Sequence, residues 1–110
     1  MYDIIINEIS FEWNEEKNEI NKNKHGISFE EAASVFFDDY GLLFGDPVHS
    51  LTEERFNIIG YSNKNHICIV THCIRENPET IRIISARKTT RKERNIYEKN
   101  KRKRFIRFRR

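Results

Sequence analysis

The stretch TIRIISARKTTRKERNIYEKN, residues 80–100, limits the possible folds of this chain more than any other. Ile81, Ile83 and Ser85 alternate with Arg82, Ile84 and Ala86, the side-chain period of a β-strand, so a mostly apolar strand delivers Arg82 and Arg87 toward its ends. Thr89 or Thr90 then caps a helix running to about Asn100. Ile96 and Tyr97 occupy one side of that helix, and Arg91, Lys92, Glu93 and Arg94 spread over the rest. A strand that carries arginines into a basic helix points to a phosphate-rich partner.

Upstream, ERFNIIGYS and HICIVTHCIR are two β-rich runs separated by Asn63, Lys64 and Asn65, which predicts a hairpin. The turn ENPET returns the chain to the arginine-bearing strand, and LLF at 42–44 supplies a further strand. Two helices come earlier. Asn14 caps one over about 15–24 that ends at Gly26, with Ile20 its only aliphatic residue, so it is expected to ride on the surface. Ser28 and Glu31 form a capping box for the other, whose buried stripe is Phe29, Ala32, Ala33, Val35 and Phe36. The opening ten residues read as a short strand or a loosely held extension, and FEW at 11–13 as the start of an edge strand. The expected class is α+β: a small antiparallel sheet of about four strands with two N-terminal helices and one C-terminal helix. Residues 1–100 form a single domain in this reading, and 101–110 a basic, flexible tail with Phe105 and Phe108 among arginines.

Charge is segregated. Residues 87–110 carry 13 Lys or Arg against 2 Glu, whereas residues 1–86 carry 7 against 15 acidic residues, although the net charge is only +3. Such a basic block fits a nucleic acid, an acidic protein or a solvated surface. No apolar run approaches a membrane span, and Cys68 and Cys73 fall on opposite faces of one strand, which fits a reducing, cytoplasmic setting.

Antiparallel pairing places Arg55, Arg75 and Arg82 toward one end of the sheet and Arg87 toward the other. Arg82 with Arg55 is the preferred phosphate-binding pair; the competing reading ties them to Glu53, Glu54 or Glu12 as structural ion pairs. Lys24 and His25 end the first helix, where cations complement the helix dipole, and Lys24 is also a phosphate-binding candidate. Trp13 reads either as core or as a cleft residue. Asp46 and His49 lack the tight ligand spacing of a metal site, so no metal or other cofactor is expected.

Taken in order, FEW, KHG, SFEEA, DPVHS, EERF, IG and IRIISAR, followed by Glu93 and Tyr97, resemble the BrnT toxins, ribonucleases of type II toxin-antitoxin modules. The resemblance covers about residues 11–98, and IRIISAR before a basic helix is its most specific part. It implies a RelE-like fold and a BrnA antitoxin that neutralises the toxin and contacts operator DNA, the toxin meeting DNA only through it. Trp13, Lys24, His25, His49, Glu54, Arg55, Arg82, Ser85, Arg87 and Tyr97 fall on the recurring motif positions. Asn14 stands where such sequences commonly have aspartate, which touches only a helix cap.

Cleavage of RNA by its own 2′-hydroxyl needs a proton acceptor, charge stabilisation at phosphorus and a donor to the leaving oxygen, with no metal. Arg55, Arg82 and Arg87 are the expected charge stabilisers, Lys24 or Glu54 the expected base, and His72 a third choice. Trp13 or Tyr97 would stack a base, and Arg91 and Arg94 would hold the RNA backbone. A non-catalytic nucleic-acid-binding or antitoxin-interaction module is the alternative.

Overall fold

A computed structural model describes residues 2–49, 53–75 and 79–108. In chain order its elements are strands β1 (Tyr2–Ile6) and β2 (Ile9–Trp13), helices α1 (Glu15–His25) and α2 (Phe29–Ser34), strands β3 (Leu42–Gly45), β4 (Phe56–Tyr61), β5 (Ile67–Arg75) and β6 (Thr80–Lys88), and helix α3 (Arg91–Phe108). Short 3₁₀ turns follow α2 at Val35–Phe37 and β3 at Pro47–His49. The turn expected at 76–78 lies outside the described residues.

The α+β class holds, but the sheet has six strands in the order β1-β2-β6-β5-β4-β3. Strands β3 to β6 form the expected antiparallel meander, and β2 runs parallel to β6, so the expectation of about four antiparallel strands is corrected. The additional strands come from the first thirteen residues. Ile6 pairs with Ile9 across a turn whose Asn7 and Glu8 both take left-handed backbone angles, φ 49° and 70°. Two such residues fit the right-handed twist of a hairpin, and the absence of glycine conceals the turn in the sequence.

Strand β6 carries an irregularity that sets the site. Thr71 pairs with Ser85 but the next residue, His72, pairs with Ile83, leaving Ile84 as an inserted residue. A bulge resets the alternation of side chains. Ile83 and Ala86 therefore share the core face with Cys68 and Val70, while Arg82, Ser85 and Arg87 share the other face with Cys73, Thr71 and Ile69. A simple period of two would have separated Arg82 from Ser85 and Arg87.

The core face is covered by α1 and α2. Phe11, Trp13, Phe29, Ala32, Ala33 and Val35 pack against Ile58, Val70 and Ile83. Helix α1 has no apolar stripe, yet it does more than ride on the surface. Strand β2 pairs with β6 only over Thr80–Arg82, and α1 covers the edge beyond. Buried Asn21 accepts from the Ala86 N–H at 3.2 Å and donates to the Ala86 carbonyl at 2.8 Å, pairing with β6 as a strand would. Asn18 accepts from the Phe29 N–H at 2.7 Å and so joins α1 to α2. Gly26, at φ 73°, closes α1 with its N–H on the Lys22 carbonyl.

On the opposite face α3 covers the β4–β5 end. Fully buried Tyr97 packs on Ile59 and Ile69, and its hydroxyl donates to Asp38, which also accepts from the Tyr40 and Tyr61 backbone N–H groups. Burial alone would raise the Asp38 pKa, but these three donors together hold it below the usual carboxylate value. Helix α3 does not end at about Asn100 but continues to Phe108. Arg104 donates to the Asp39 carbonyl at 2.9 Å, and Lys101 lies 5.4 Å from the centre of the Tyr40 ring, so this part of the helix is held to the domain.

Candidate active site

The part of the sheet that α3 leaves open is the floor of a cleft of about 530 Å³. Asn57, Thr71, Ser85 and Arg87 line it from three adjacent strands, Arg55 from just before β4, His25 from the end of α1, and Glu93 from the first turn of α3. Thr71 Oγ1 donates to Asn57 Oδ1 at 2.6 Å, which orders the polar floor.

Arg87 is held with care. Its two terminal nitrogens donate to the two Glu93 oxygens at 2.8 and 2.9 Å, a bidentate pair. Glu93 is in turn fixed by a complete capping box. Its Oε1 accepts from the Thr90 N–H at 2.8 Å, and its own N–H donates to Thr90 Oγ1 at 3.2 Å. The hydrogen bonds from Arg87 hold the Glu93 carboxyl far below the usual range, at about 2, and the pair keeps the Arg87 guanidinium charged.

Arg55 and Arg82 meet in a small cavity of about 90 Å³ that adjoins Glu53 and Lys17. Arg55 thus lines both spaces. Its Nη2 is 4.0 Å from Glu53, and Arg82 Nη1 is 3.8 Å from Glu12, which also lies 3.4 Å from Arg75. These are looser contacts than the Arg87 pair. Both readings of these arginines are therefore present: each has a carboxylate neighbour, and all lie on the sheet face that contains the cleft.

Other expected site residues are not brought here. Lys24 and Glu54 are exposed and line neither the cleft nor the small cavity beside it. For Lys24 the reason is its place on α1, one residue from the position that turns His25 inward. The base-stacking expectation for Trp13 and Tyr97 is corrected by burial, because each ring is 0% exposed. The indole of Trp13 packs against Phe29 and donates to Glu15, so both aromatics serve the core. His72 is also buried, between the rings of Phe36 and Phe56, and burial lowers its pKa. Burial pushes the Cys68 thiol up to about 12, which makes it a poor nucleophile. Arg91 and Arg94 are exposed on α3, beyond the cleft residue Glu93.

A family model described as the ribonuclease toxin BrnT of type II toxin-antitoxin systems matches residues 13–93. The chain belongs to the BrnT family. The matched segment runs from the last residue of β2 to the first turn of α3, so it contains every residue lining the cleft. Strand β1, most of β2 and the greater part of α3 lie outside it. This BrnT chain is thus a ribonuclease toxin whose system includes an antitoxin partner. No individually curated protein is similar enough to match it.

The cleft also contains residues that sequence reasoning ranked low or passed over. His25 reads in the sequence as a cation complementing the helix dipole and as a motif position with no assigned role, and Asn57 and Thr71 carry no motif signal. Their pairing across β4 and β5 was the available clue, since Asn57 faces Thr71, which faces Ser85.

Proposed function

We propose that this BrnT chain cleaves RNA in the sheet cleft by metal-independent transesterification. The observation that carries this reading is the convergence of Arg55 and Arg87 on a polar floor of Asn57, Thr71 and Ser85. Two guanidinium groups supply the positive charge that the developing phosphorane needs, and the hydroxyl and amide groups orient its oxygens. Arg82, next to Arg55, holds the neighbouring phosphate. His25 is the group best placed to take the proton from the 2′-hydroxyl or return one to the leaving 5′-oxygen. Lys24 and Glu54 leave the catalytic set because they stand outside the cleft. Glu93 is a positioning residue: its carboxylate is engaged by Arg87 and the helix cap, so it orients the guanidinium rather than moving protons.

The exposed Arg91 and Arg94 extend the positive surface from the cleft along α3 and give the RNA backbone a path without base readout. In this role the toxin acts in the cytoplasm, inhibits translation by destroying RNA, and is neutralised by a BrnA-like antitoxin. The RelE-like reading of the fold belongs with this proposal, since the helices leave one part of the sheet open for the reaction.

Incubating the purified chain with RNA in excess EDTA tests the mechanism. Fragments ending in a 2′,3′-cyclic phosphate are expected. Intact RNA, or cleavage that leaves 3′-hydroxyl ends, would contradict it.

A further inference from the structure

Beside the cleft lies a second depression of a different character. It measures about 500 Å³ and runs between β3 and α3, with Leu42, Phe44, Ile59 and Ile96 as its apolar lining and Lys92 on its rim. The outer side of β3 carries no further strand among the described residues. Large apolar side chains of the groove are exposed, Phe44 at 40% and Ile96 at 43%, while Leu43, exposed at 59%, lies on the other face of the same edge strand. An uncovered sheet edge beside an apolar patch is a surface that a partner normally covers.

Charge decides among occupants. Arg91, Lys92 and Lys99, with Ile96 and Asn95, line the adjoining surface of α3, so the apolar floor has a cationic border. A second copy pairing through β3 would bring its own α3 onto the same face of the joined sheet, setting one basic row against another. RNA would gain the border but would bury its charged backbone against an apolar floor. A protein segment with apolar anchors flanked by Asp or Glu satisfies both features.

We infer that the β3–α3 groove is the docking site for an acidic, apolar-anchored segment of the antitoxin, and that the occupant blocks the active site from there. The two spaces are contiguous, because Phe44 and Glu93 line both. A chain seated in the groove passes these residues and brings its carboxylates to Arg87 and Arg55, where they compete with the scissile phosphate. This mechanism of neutralisation rests on the assignment of the cleft as the nuclease site, whereas the docking itself does not.

The test uses the full toxin and the purified product of the reading frame adjoining its gene. Binding is followed by fluorescence anisotropy for the wild type, Ile96→Glu, Lys92→Glu and, on the far edge of the sheet, Ile5→Glu. Ile96→Glu and Lys92→Glu are expected to weaken binding about tenfold or more, and Ile5→Glu to leave it unchanged. The Lys92→Glu effect is expected to shrink as salt is raised. Lys92 is exposed, so its variant keeps the test decisive if Ile96→Glu lowers stability. Unchanged affinity in both groove variants, loss in Ile5→Glu instead, or weakened RNA binding in place of weakened protein binding would overturn the inference. Binding needs no RNA cleavage, so its outcome separates failure of the groove from failure of the nuclease reading. With cleavage as the second readout, Ile96→Glu is expected to cut RNA at the wild-type rate and to resist neutralisation.

Discussion

At the scale of single residues, the most constrained group is the Arg87–Glu93 pair, because Glu93 closes a helix and orients a guanidinium with the same carboxylate. Its pKa is depressed from 4.5 to about 2, so the stability it contributes is fully present above pH 4.5 and is lost as pH falls toward 2. Thermal melts of wild type and Glu93→Gln are therefore expected to differ near neutrality and to converge across that window. His25 carries a separate prediction. His25→Asn should lower the cleavage rate by about 100-fold or more, measured under single-turnover conditions. The arginines were legible in the sequence because a guanidinium inside an apolar strand is conspicuous. The burial of Trp13 and Tyr97 was not, since the same residue types serve a core or a nucleic-acid surface, and only packing against Phe29 or bonding to Asp38 separates the two.

At the scale of elements, two helices are held by polar groups that hydrophobic patterning does not reveal. Helix α1 depends on Asn21, whose amide makes three hydrogen bonds, to Ile27 and to both backbone groups of Ala86. Asn21→Leu is expected to cost about 3 kcal/mol in urea denaturation, because it strands buried backbone groups at the edge of β6. Helix α3 depends on Tyr97, and Tyr97→Phe is expected to cost about 2 kcal/mol by removing a donor to a carboxylate. An unchanged denaturation midpoint in either variant would show that the anchor is idle. The α1 boundaries and the α2 cap were readable from Asn14, Gly26 and Ser28 because local chemistry sets them. The hairpin of β1 and β2 was not, because its turn at Asn7 and Glu8 contains no glycine, and neither were its parallel pairing with β6 and the bulge at Ile84, because these depend on segments far apart in the chain.

At the scale of the whole molecule, one sheet separates the core from the candidate cleft. One face and most of the buried side chains build the core, while the other is divided between α3 and an open cleft. The charge segregation visible in the sequence becomes a positive ridge along α3 that begins beside that cleft. Arg91→Ala and Arg94→Ala are expected to weaken RNA binding and to flatten its salt dependence, each by about one phosphate contact, without slowing the chemical step; a salt titration of binding checks this. The central claim is that Arg55 and Arg87 hold the phosphate that is cut. Its most direct test is the single-turnover cleavage rate of Arg55→Ala and Arg87→Ala with RNA at saturation. A fall of about 100-fold or more in each is predicted, and wild-type rates in both would contradict the account.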